Sequence, residues 1–149
     1  MKTNNIAEIQ ISYSPTIKKQ FRIKITKSSH AYESLINSWD KNTLELQEEF
    51  KIILLNNANE ILGIHNLSKG STNGVNVDLK LLFAVALKSC ATSIIVSHNH
   101  PSGILTASES DIAMTKKIKK AGELLDISLL DHIIVTKDGF YSMVDSNTF

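Results

Sequence analysis

The chain has 149 residues, of which 42% are hydrophobic and 21% are charged, and its formal net charge is +1. This length and composition predict one globular domain with a core of its own. The single cysteine, Cys90, excludes a disulfide-stabilised scaffold and is typical of a reducing compartment. No hydrophobic stretch approaches the roughly 20 residues of a membrane span, and the N-terminus lacks an apolar signal sequence. We therefore expect a cytoplasmic protein that does not contact membranes.

The small net charge hides an uneven distribution along the chain. Residues 1–30 contain six Lys/Arg and one acidic residue, whereas residues 31–149 contain ten Lys/Arg and fourteen acidic residues. A basic N-terminal arm on an acidic body is one arrangement by which a protein contacts nucleic acid. The alternative is an edge strand whose exposed lysines discourage aggregation. We favour this alternative because no aromatic interleaving or nucleic-acid motif accompanies the charge.

The N-terminal third predicts two strands and a helix. Residues 6–13 and 21–25 have strand patterns, and Ser14-Pro15 separates them. In the second segment apolar and basic residues alternate, as expected of a half-buried strand. A helix is predicted from Ser28 or Ser29, either of which would cap it, to about Trp39. We interpret residues 1–45 as an accessory region.

Alternating strand and helix patterns begin at Glu49. The apolar run 49–56 predicts a buried strand, and 60–68 is its expected hairpin partner. A loop follows at 70–74, and Asp78 is predicted to cap the next helix. This helix has one apolar face, which places Cys90 in the core as a small hydrophobic residue. The positions of that face are Leu79, Leu82, Phe83, Ala86, Leu87 and Cys90.

The remaining segments complete an α/β pattern. Residues 92–98 predict another buried strand, and a helix follows from about Ser108. Residues 128–135 and 140–144 predict two strands joined through Lys137-Asp138-Gly139, a turn sequence typical of hairpins. We therefore predict an α/β sandwich in which helices pack on a mixed sheet.

His98 and His100 lie two residues apart at the end of a buried strand. Alternate residues of a strand face the same side, so the two imidazoles are expected to converge. Asp111 shares the helical face of Met114 and Ile118, where an unpaired carboxylate would be unfavourable. Two histidines and one aspartate leave a fourth coordination position open, as catalytic zinc sites do. We therefore predict that His98, His100 and Asp111 bind Zn²⁺.

Simpler interpretations apply to some of these residues. Ser108 and Asp111 have the spacing of a capping box, which by itself would account for both. His132 next to Asp131 is interpreted as a local contact at the start of a strand rather than as support for the metal site. A hydrolytic site also needs a base, and spacing alone does not choose among the glutamates. The candidates are Glu45, Glu48, Glu49, Glu60, Glu109 and Glu123.

The spacing His98-x-His100-x7-Ser108-x2-Asp111 resembles the JAMM motif of the JAB/MPN metalloenzymes. The segments His98-Asn99-His100-Pro101-Ser102-Gly103 and Leu129–Ile134 are similar to the RadC-like branch. This resemblance covers residues 46–149. It implies a cytidine-deaminase-like three-layer α/β sandwich of JAB/MPN type, with His98, His100 and Asp111 as zinc ligands. It also implies Glu48 as the base, with Glu49 as the alternative, and Ser108 as the residue that stabilises the oxyanion.

The resemblance implies a zinc metallohydrolase, like a metalloprotease or isopeptidase, whose substrate is a peptide or an isopeptide-linked protein. Two departures stand out. Ala107 replaces a proline that is common before the motif serine, and no N-terminal helix-hairpin-helix module is visible. The alternative function is a DNA-associated accessory protein of DNA-repair type with a metal site, in which Lys116–Lys120 and the basic arm contact phosphates. The oligomeric state stays open, a homodimer included.

Overall fold

The strand patterns from Glu49 onward form one five-stranded sheet in the structure, a computed structural model that describes residues 5–70 and 76–149. The loop predicted at 70–74 lies mostly outside these residues. A short 3₁₀ turn at Lys19–Phe21 precedes the main elements. These elements are α1 (Ser28–Ser38), β1 (Glu49–Leu55), β2 (Ile61–Lys69), α2 (Leu79–Lys88), β3 (Ser93–Asn99), α3 (Glu109–Leu124), β4 (Ser128–Val135) and β5 (Phe140–Ser142).

The sheet is mixed, with the strand order β2-β1-β3-β4-β5. Strands β3 and β4 are parallel, and the other neighbouring pairs are antiparallel. Parallel neighbours need a crossover, and α3 provides it between β3 and β4. Strands β1 and β3 are buried along their whole length, which accounts for their nearly continuous apolar sequences.

Helices cover both faces of the sheet and give three layers. The β1 residues Phe50, Ile52 and Leu54 face a core shared with α2 and α3. Ile53 and Leu55 face a second core on the α1 side. The predicted three-layer α/β sandwich is thereby confirmed. The core residues of the helices are Leu82, Phe83, Ala86 and Ile118 on the first side, and Ala31 and Leu35 on the second.

The strands predicted at 6–13 and 21–25 are wrong. Residues 6–13 are exposed and form no strand, and residues 21–25 contribute one isolated bridge, between Lys24 and Glu60. Phe21 is 67% exposed and Ile23 56% exposed, whereas Ile25 is buried. An alternating segment forms a strand only where a neighbouring strand pairs with its backbone, and residues 21–25 are paired only at this one bridge.

The placement of Cys90 in the core is also wrong, since its side chain is exposed. Helix α2 ends at Lys88, and Cys90 has a φ of 55°, in the left-handed region. This backbone conformation directs the Cys90 side chain away from the apolar face that the helical spacing predicted. Leu87, in the last turn of the helix and on the same predicted face, is 52% exposed. The predicted cap Asp78 is confirmed, because its carboxylate accepts the backbone N–H groups of Lys80 and Leu81.

Helix α1 begins without the predicted serine cap. Lys27 occupies the N-cap position and makes no side-chain cap, while the Ser28 hydroxyl donates to Asp145. Helix α1 packs mainly on β4, so part of the predicted accessory region 1–45 covers one face of the sheet. The boundary at residue 45 stays a prediction. Among residues 5–70 and 76–149, no helix has the length and hydrophobicity needed to span a membrane.

Candidate functional site

Two elements bring three metal-ligand side chains together. His98 lies on β3, and His100 follows immediately after its last residue. Both rings point to the side of the sheet covered by α3, because alternate strand residues share a face. Asp111 is in the first turn of α3 and faces the same point. The chain segment from Pro101 to Ser108 is thus a short return from the end of the strand to the start of the helix.

The three side chains form a compact triangle of ligand atoms. The Nε2 atoms of His98 and His100 are 2.9 Å apart, and Asp111 Oδ2 lies 3.4 and 3.5 Å from them. Ligands about 2.0–2.1 Å from a tetrahedral zinc ion are separated by roughly 3.3 Å, so these distances fit such an ion. They form one His/Cys/Asp/Glu cluster of metal-binding geometry within the described residues. The residues therefore fit a metal bound by two imidazoles and one carboxylate.

The second nitrogen of each of these two imidazoles also has a hydrogen-bond partner. His100 Nδ1 lies 2.7 Å from the carbonyl oxygen of Ile104, which accepts only, so Nδ1 carries the hydrogen. His98 Nδ1 lies 2.7 Å from Nε2 of His132. Hydrogen bonds at the outer nitrogen fix the tautomer and orientation of metal-binding histidines. His100 Nε2 is thereby left with a lone pair toward Asp111 and His98.

The electrostatics of the cluster favour a cation at its centre. Burial raises the pKa of Asp111, but the contacts of its carboxylate with the rings of His100 and His98 and the hydrogen bond from the backbone N–H of Ser108 outweigh burial and hold that pKa well below its ordinary value. Burial lowers the pKa of His100, and the Asp111 hydrogen bond, the Ile104 carbonyl and the charges of Asp111 and Glu48 reverse this, so the net shift is upward. These shifts show that positive charge is favourable between the Asp111 carboxylate and the two imidazoles, and either a proton or a metal ion would supply it.

His132 is buried behind the cluster. Burial, together with the charge of His98, lowers its pKa well below the ordinary value and so favours the neutral ring. Its ring contacts His98 and Thr115, whereas Asp131 accepts only its backbone N–H. The interpretation of His132 as a contact with Asp131 at the strand start is therefore wrong for its ring. The signal in the sequence that could have indicated a buried role for His132 was its place beside the apolar residues Ile133-Ile134-Val135.

Ser108 and Asp111 form the predicted capping box. Ser108 Oγ accepts the backbone N–H of Asp111 at 3.1 Å, and Asp111 Oδ2 accepts the backbone N–H of Ser108 at 2.9 Å. The Ser108 hydroxyl also lies 3.0 Å from the Ser110 hydroxyl. Capping and alignment with the histidines thus coexist at Asp111. The role of Ser108 in stabilising an oxyanion stays a prediction.

Glu48 and Glu49 have different surroundings. Glu49 is buried on the α1 side, where its carboxylate accepts the Thr43 hydroxyl at 2.9 Å. Phe50 pairs with His98 across the sheet and faces the α3 side. Glu48 immediately precedes β1, and its negative charge helps raise the pKa of His100. Glu48, which is half-buried, is therefore the adjacent glutamate nearer the histidines.

Asn99 ties the segment that carries Glu48 to β3. It lies between the two histidines and points to the opposite side of the sheet. Its Oδ1 accepts the backbone N–H of Glu49 at 2.7 Å, and its amide donates to the carbonyls of Leu44 at 2.7 Å and Gln47 at 2.9 Å. Sequence reasoning did not select Asn99, and a buried amide next to two candidate ligands was the only signal.

Comparison with known proteins places this architecture in a family. The family model described as "RadC-like JAB domain" matches residues 25–148. A UPF0758 protein of Flavobacterium johnsoniae is 48% identical over 102 residues, covering 68% of this chain and 44% of its own length. A UPF0758 protein of Staphylococcus aureus, bovine strain RF122, is 39% identical over 128 residues, covering 86% of this chain and 55% of the relative.

A three-layer α/β sandwich that clusters two histidines and an aspartate at a strand end defines a JAB-type domain. The chain belongs to the RadC-like JAB domain family. It spans about half the length of the curated relatives it matches.

Proposed function

We propose that this protein is a zinc-dependent hydrolase of peptide or isopeptide bonds, with His98, His100 and Asp111 as the metal ligands. The observation that carries the proposal is the triangle of ligand atoms, with sides of 2.9, 3.4 and 3.5 Å. Three protein ligands leave one tetrahedral position open, as catalytic zinc sites do. Zinc at this site would polarise a substrate carbonyl and make an attacking water more acidic.

The side chains around the triangle have complementary roles in this proposal. Glu48 takes the proton from the attacking water and passes it to the leaving amine, as a general base and then a general acid. Ser108 donates its hydroxyl to the oxygen of the carbonyl under attack. Support for Glu48 over Glu49 comes from their contacts, because the charge of Glu48 acts on His100 whereas the buried Glu49 carboxylate accepts the Thr43 hydroxyl.

Metal analysis of protein purified without chelators tests the ligand set. We expect about one zinc per chain, lost in the double variant His98→Ala/His100→Ala. A double variant of two histidines outside the triangle, His30→Ala/His65→Ala, is the matched control and should retain the zinc. Wild-type protein that contains no zinc, and takes none up from added zinc salt, would contradict the proposal.

Glu48→Gln tests the base separately from the metal. The variant should retain zinc but lose hydrolysis of a fluorogenic mixture of peptides and lysine-linked isopeptides, by about 10²- to 10⁴-fold. Glu49→Gln is the comparison, and we expect its effect to fall on stability rather than on turnover. A fully active Glu48→Gln variant would exclude Glu48 as the base.

We propose a second, DNA-associated function on one observation. Four lysines of α3 are exposed and line a shared groove with Glu123 and Phe149; they are Lys116, Lys117, Lys119 and Lys120. Phosphate contacts by such lysines would weaken steeply as salt rises. Fluorescence anisotropy with duplex DNA at low salt, compared with a variant carrying glutamine at all four lysines, tests this. Equal binding by the two proteins, or no binding by the wild type, would rule it out.

The expected cytoplasmic location stays a prediction.

A further inference from the structure

A chain of buried hydrogen bonds leads from α3 to the metal-facing ring of His98. Thr115 Oγ1 lies 2.6 Å from Nδ1 of His132, and His132 Nε2 lies 2.7 Å from Nδ1 of His98. Thr115 is 0% exposed, His132 1% and His98 2%. Water therefore has no access to these polar atoms, and each must find its partner within the chain.

The direction of each hydrogen bond follows from the end of this chain. Thr115 Oγ1 is 2.6 Å from the backbone carbonyl oxygen of Asp111, which only accepts, so the single hydroxyl hydrogen points there. The sulfur of Met143, at 3.4 Å, is a weaker acceptor for the same hydrogen. Thr115 Oγ1 is then free to accept a hydrogen bond from His132.

The remaining hydrogens follow in sequence. His132 is 1% exposed, and the hydrogen-bond partners of its ring are Thr115 and His98, neither of which is a carboxylate. A positive charge on this ring would be buried without an anionic partner, which is strongly unfavourable. The neutral ring of His132 has one N–H and one lone pair. Its Nδ1–H donates to Thr115, which leaves Nε2 as an acceptor. His98 must therefore donate its Nδ1–H to His132, and its own Nε2 holds the lone pair. That atom is the one 2.9 Å from His100 Nε2 and 3.4 Å from Asp111 Oδ2.

We propose that Thr115 and His132 are positioning residues that hold His98 in its Nδ1–H tautomer and so direct the Nε2 lone pair to the metal centre. The opposite tautomer would place a hydrogen on Nε2 and block coordination there. Because Thr115 also donates to the backbone of Asp111, the same side chain connects two of the three ligands. This inference rests on the proposed metal site for its consequence, but the tautomer itself is measurable without a metal.

The direct test is a long-range ¹H–¹⁵N correlation spectrum of metal-free wild-type protein at neutral pH. Ring nitrogens with and without hydrogen have distinct ¹⁵N shifts, and single histidine variants assign the five histidines of the chain. We expect Nδ1–H forms for His132 and His98. A hydrogen on Nε2 of His132, or on Nε2 of His98 with none on Nδ1, would overturn the inference.

A matched pair at Thr115 tests the hydroxyl. Thr115→Val keeps the shape of the side chain and removes the acceptor for His132. The hydrogen of His132 can then move to Nε2, and His98 would change to the opposite tautomer. Thr115→Ser keeps the hydroxyl. We expect zinc affinity, measured by chelator competition, to fall about 10- to 100-fold in Thr115→Val and to stay near wild type in Thr115→Ser. Equal affinity and equal tautomers in Thr115→Val would contradict the proposal.

A second pair keeps the test decisive if Thr115→Val fails to fold. His132→Gln retains an acceptor for His98 and a donor for Thr115, whereas His132→Leu retains neither. Tighter zinc binding by His132→Gln than by His132→Leu supports the positioning role, and equal weakening assigns His132 to packing alone. Wild type without zinc affinity but with Nδ1–H on His98 would refute the proposed function and leave this inference standing. Zinc binding by a protein whose metal-free His98 carries its hydrogen on Nε2 would support the proposed function and refute this inference.

Discussion

The backbone N–H of Ser108 donates to Asp111 Oδ2 at 2.9 Å, and the same carboxylate oxygen faces the rings of His98 and His100. One carboxylate thus begins helix α3 and completes the ligand triangle. The start of helix α3 thus sets the position of the Asp111 carboxylate, and a change at the cap is expected to affect both the helix and the triangle.

Ser108→Ala removes the hydroxyl that accepts the Asp111 N–H, so that group loses its partner at the helix start. We expect a loss of about 1 kcal/mol in the free energy of unfolding, measured by urea denaturation of the metal-free protein. Ser108→Thr keeps a capping oxygen and should stay close to wild type. Equal stability of Ser108→Ala and wild type would show that the cap contributes nothing.

Zinc is expected to stabilise the folded chain, because the triangle forms only when β3 and α3 are packed. At a free zinc concentration about 100-fold above Kd, the stabilisation should reach roughly 2.7 kcal/mol. This corresponds to a rise in Tm of roughly 5–10 °C for a chain of this size. Scanning calorimetry with zinc and with a chelator measures the difference, and a His98→Asn/His100→Asn variant should show none.

Asn99→Ala would leave one buried N–H and two carbonyls without their side-chain partner. Each unsatisfied buried group costs about 1–3 kcal/mol, so we expect a total loss of about 3 kcal/mol or more. Asn57→Ala, at an exposed turn position, is the control and should change stability by no more than about 0.5 kcal/mol. Similar unfolding midpoints for the two variants in urea would argue against this role of Asn99.

Gly122 lies in α3 where the helix meets the chain before β4. A Cβ there would lie 2.3 Å from the backbone carbonyl oxygen of Ile127, so the backbone must shift to accommodate it. We expect Gly122→Ala to destabilise the protein by about 1–3 kcal/mol. Gly63→Ala meets no atom within 4 Å and should be neutral. Thermal unfolding of both variants makes the comparison, and an unaffected Gly122→Ala would contradict the close packing.

Asp131 is expected to make stability depend on pH in the acidic range. Burial raises its pKa, and the charge of Asp145 adds to this, although Ser142, Val144 and His132 donate to it. A carboxyl whose folded pKa exceeds its unfolded value stabilises the fold below the ordinary pKa of 3.8, and this contribution is lost as pH rises through the folded pKa. Asp131→Asn cannot titrate, so its stability relative to wild type should increase over that interval. Urea denaturation across the range measures this, and a constant difference would exclude it.

The sequence by itself determined the elements with strong local patterns. Continuous apolar runs predicted β1 and β3, the Asp78 and Ser108 caps marked the starts of α2 and α3, and the spacing of His98, His100 and Asp111 predicted the ligand triangle. These features depend on contacts between residues near in the chain or on the fixed period of a strand. The exposed residues 6–13 and Cys90 show the converse, since a local pattern does not specify whether a neighbour is there to pack against it.

The tertiary structure alone decided which residues surround the His98, His100 and Asp111 side chains. His132 and Thr115 reach His98 because β4 lies parallel to β3 and α3 crosses between them, and that register depends on contacts far apart in the sequence. The surroundings of the two adjacent glutamates also depend on the tertiary structure, since the buried Glu49 carboxylate accepts the Thr43 hydroxyl while the charge of Glu48 acts on His100. The local chain therefore specified the cluster of His98, His100 and Asp111, and the packing of the sheet specified the residues around it.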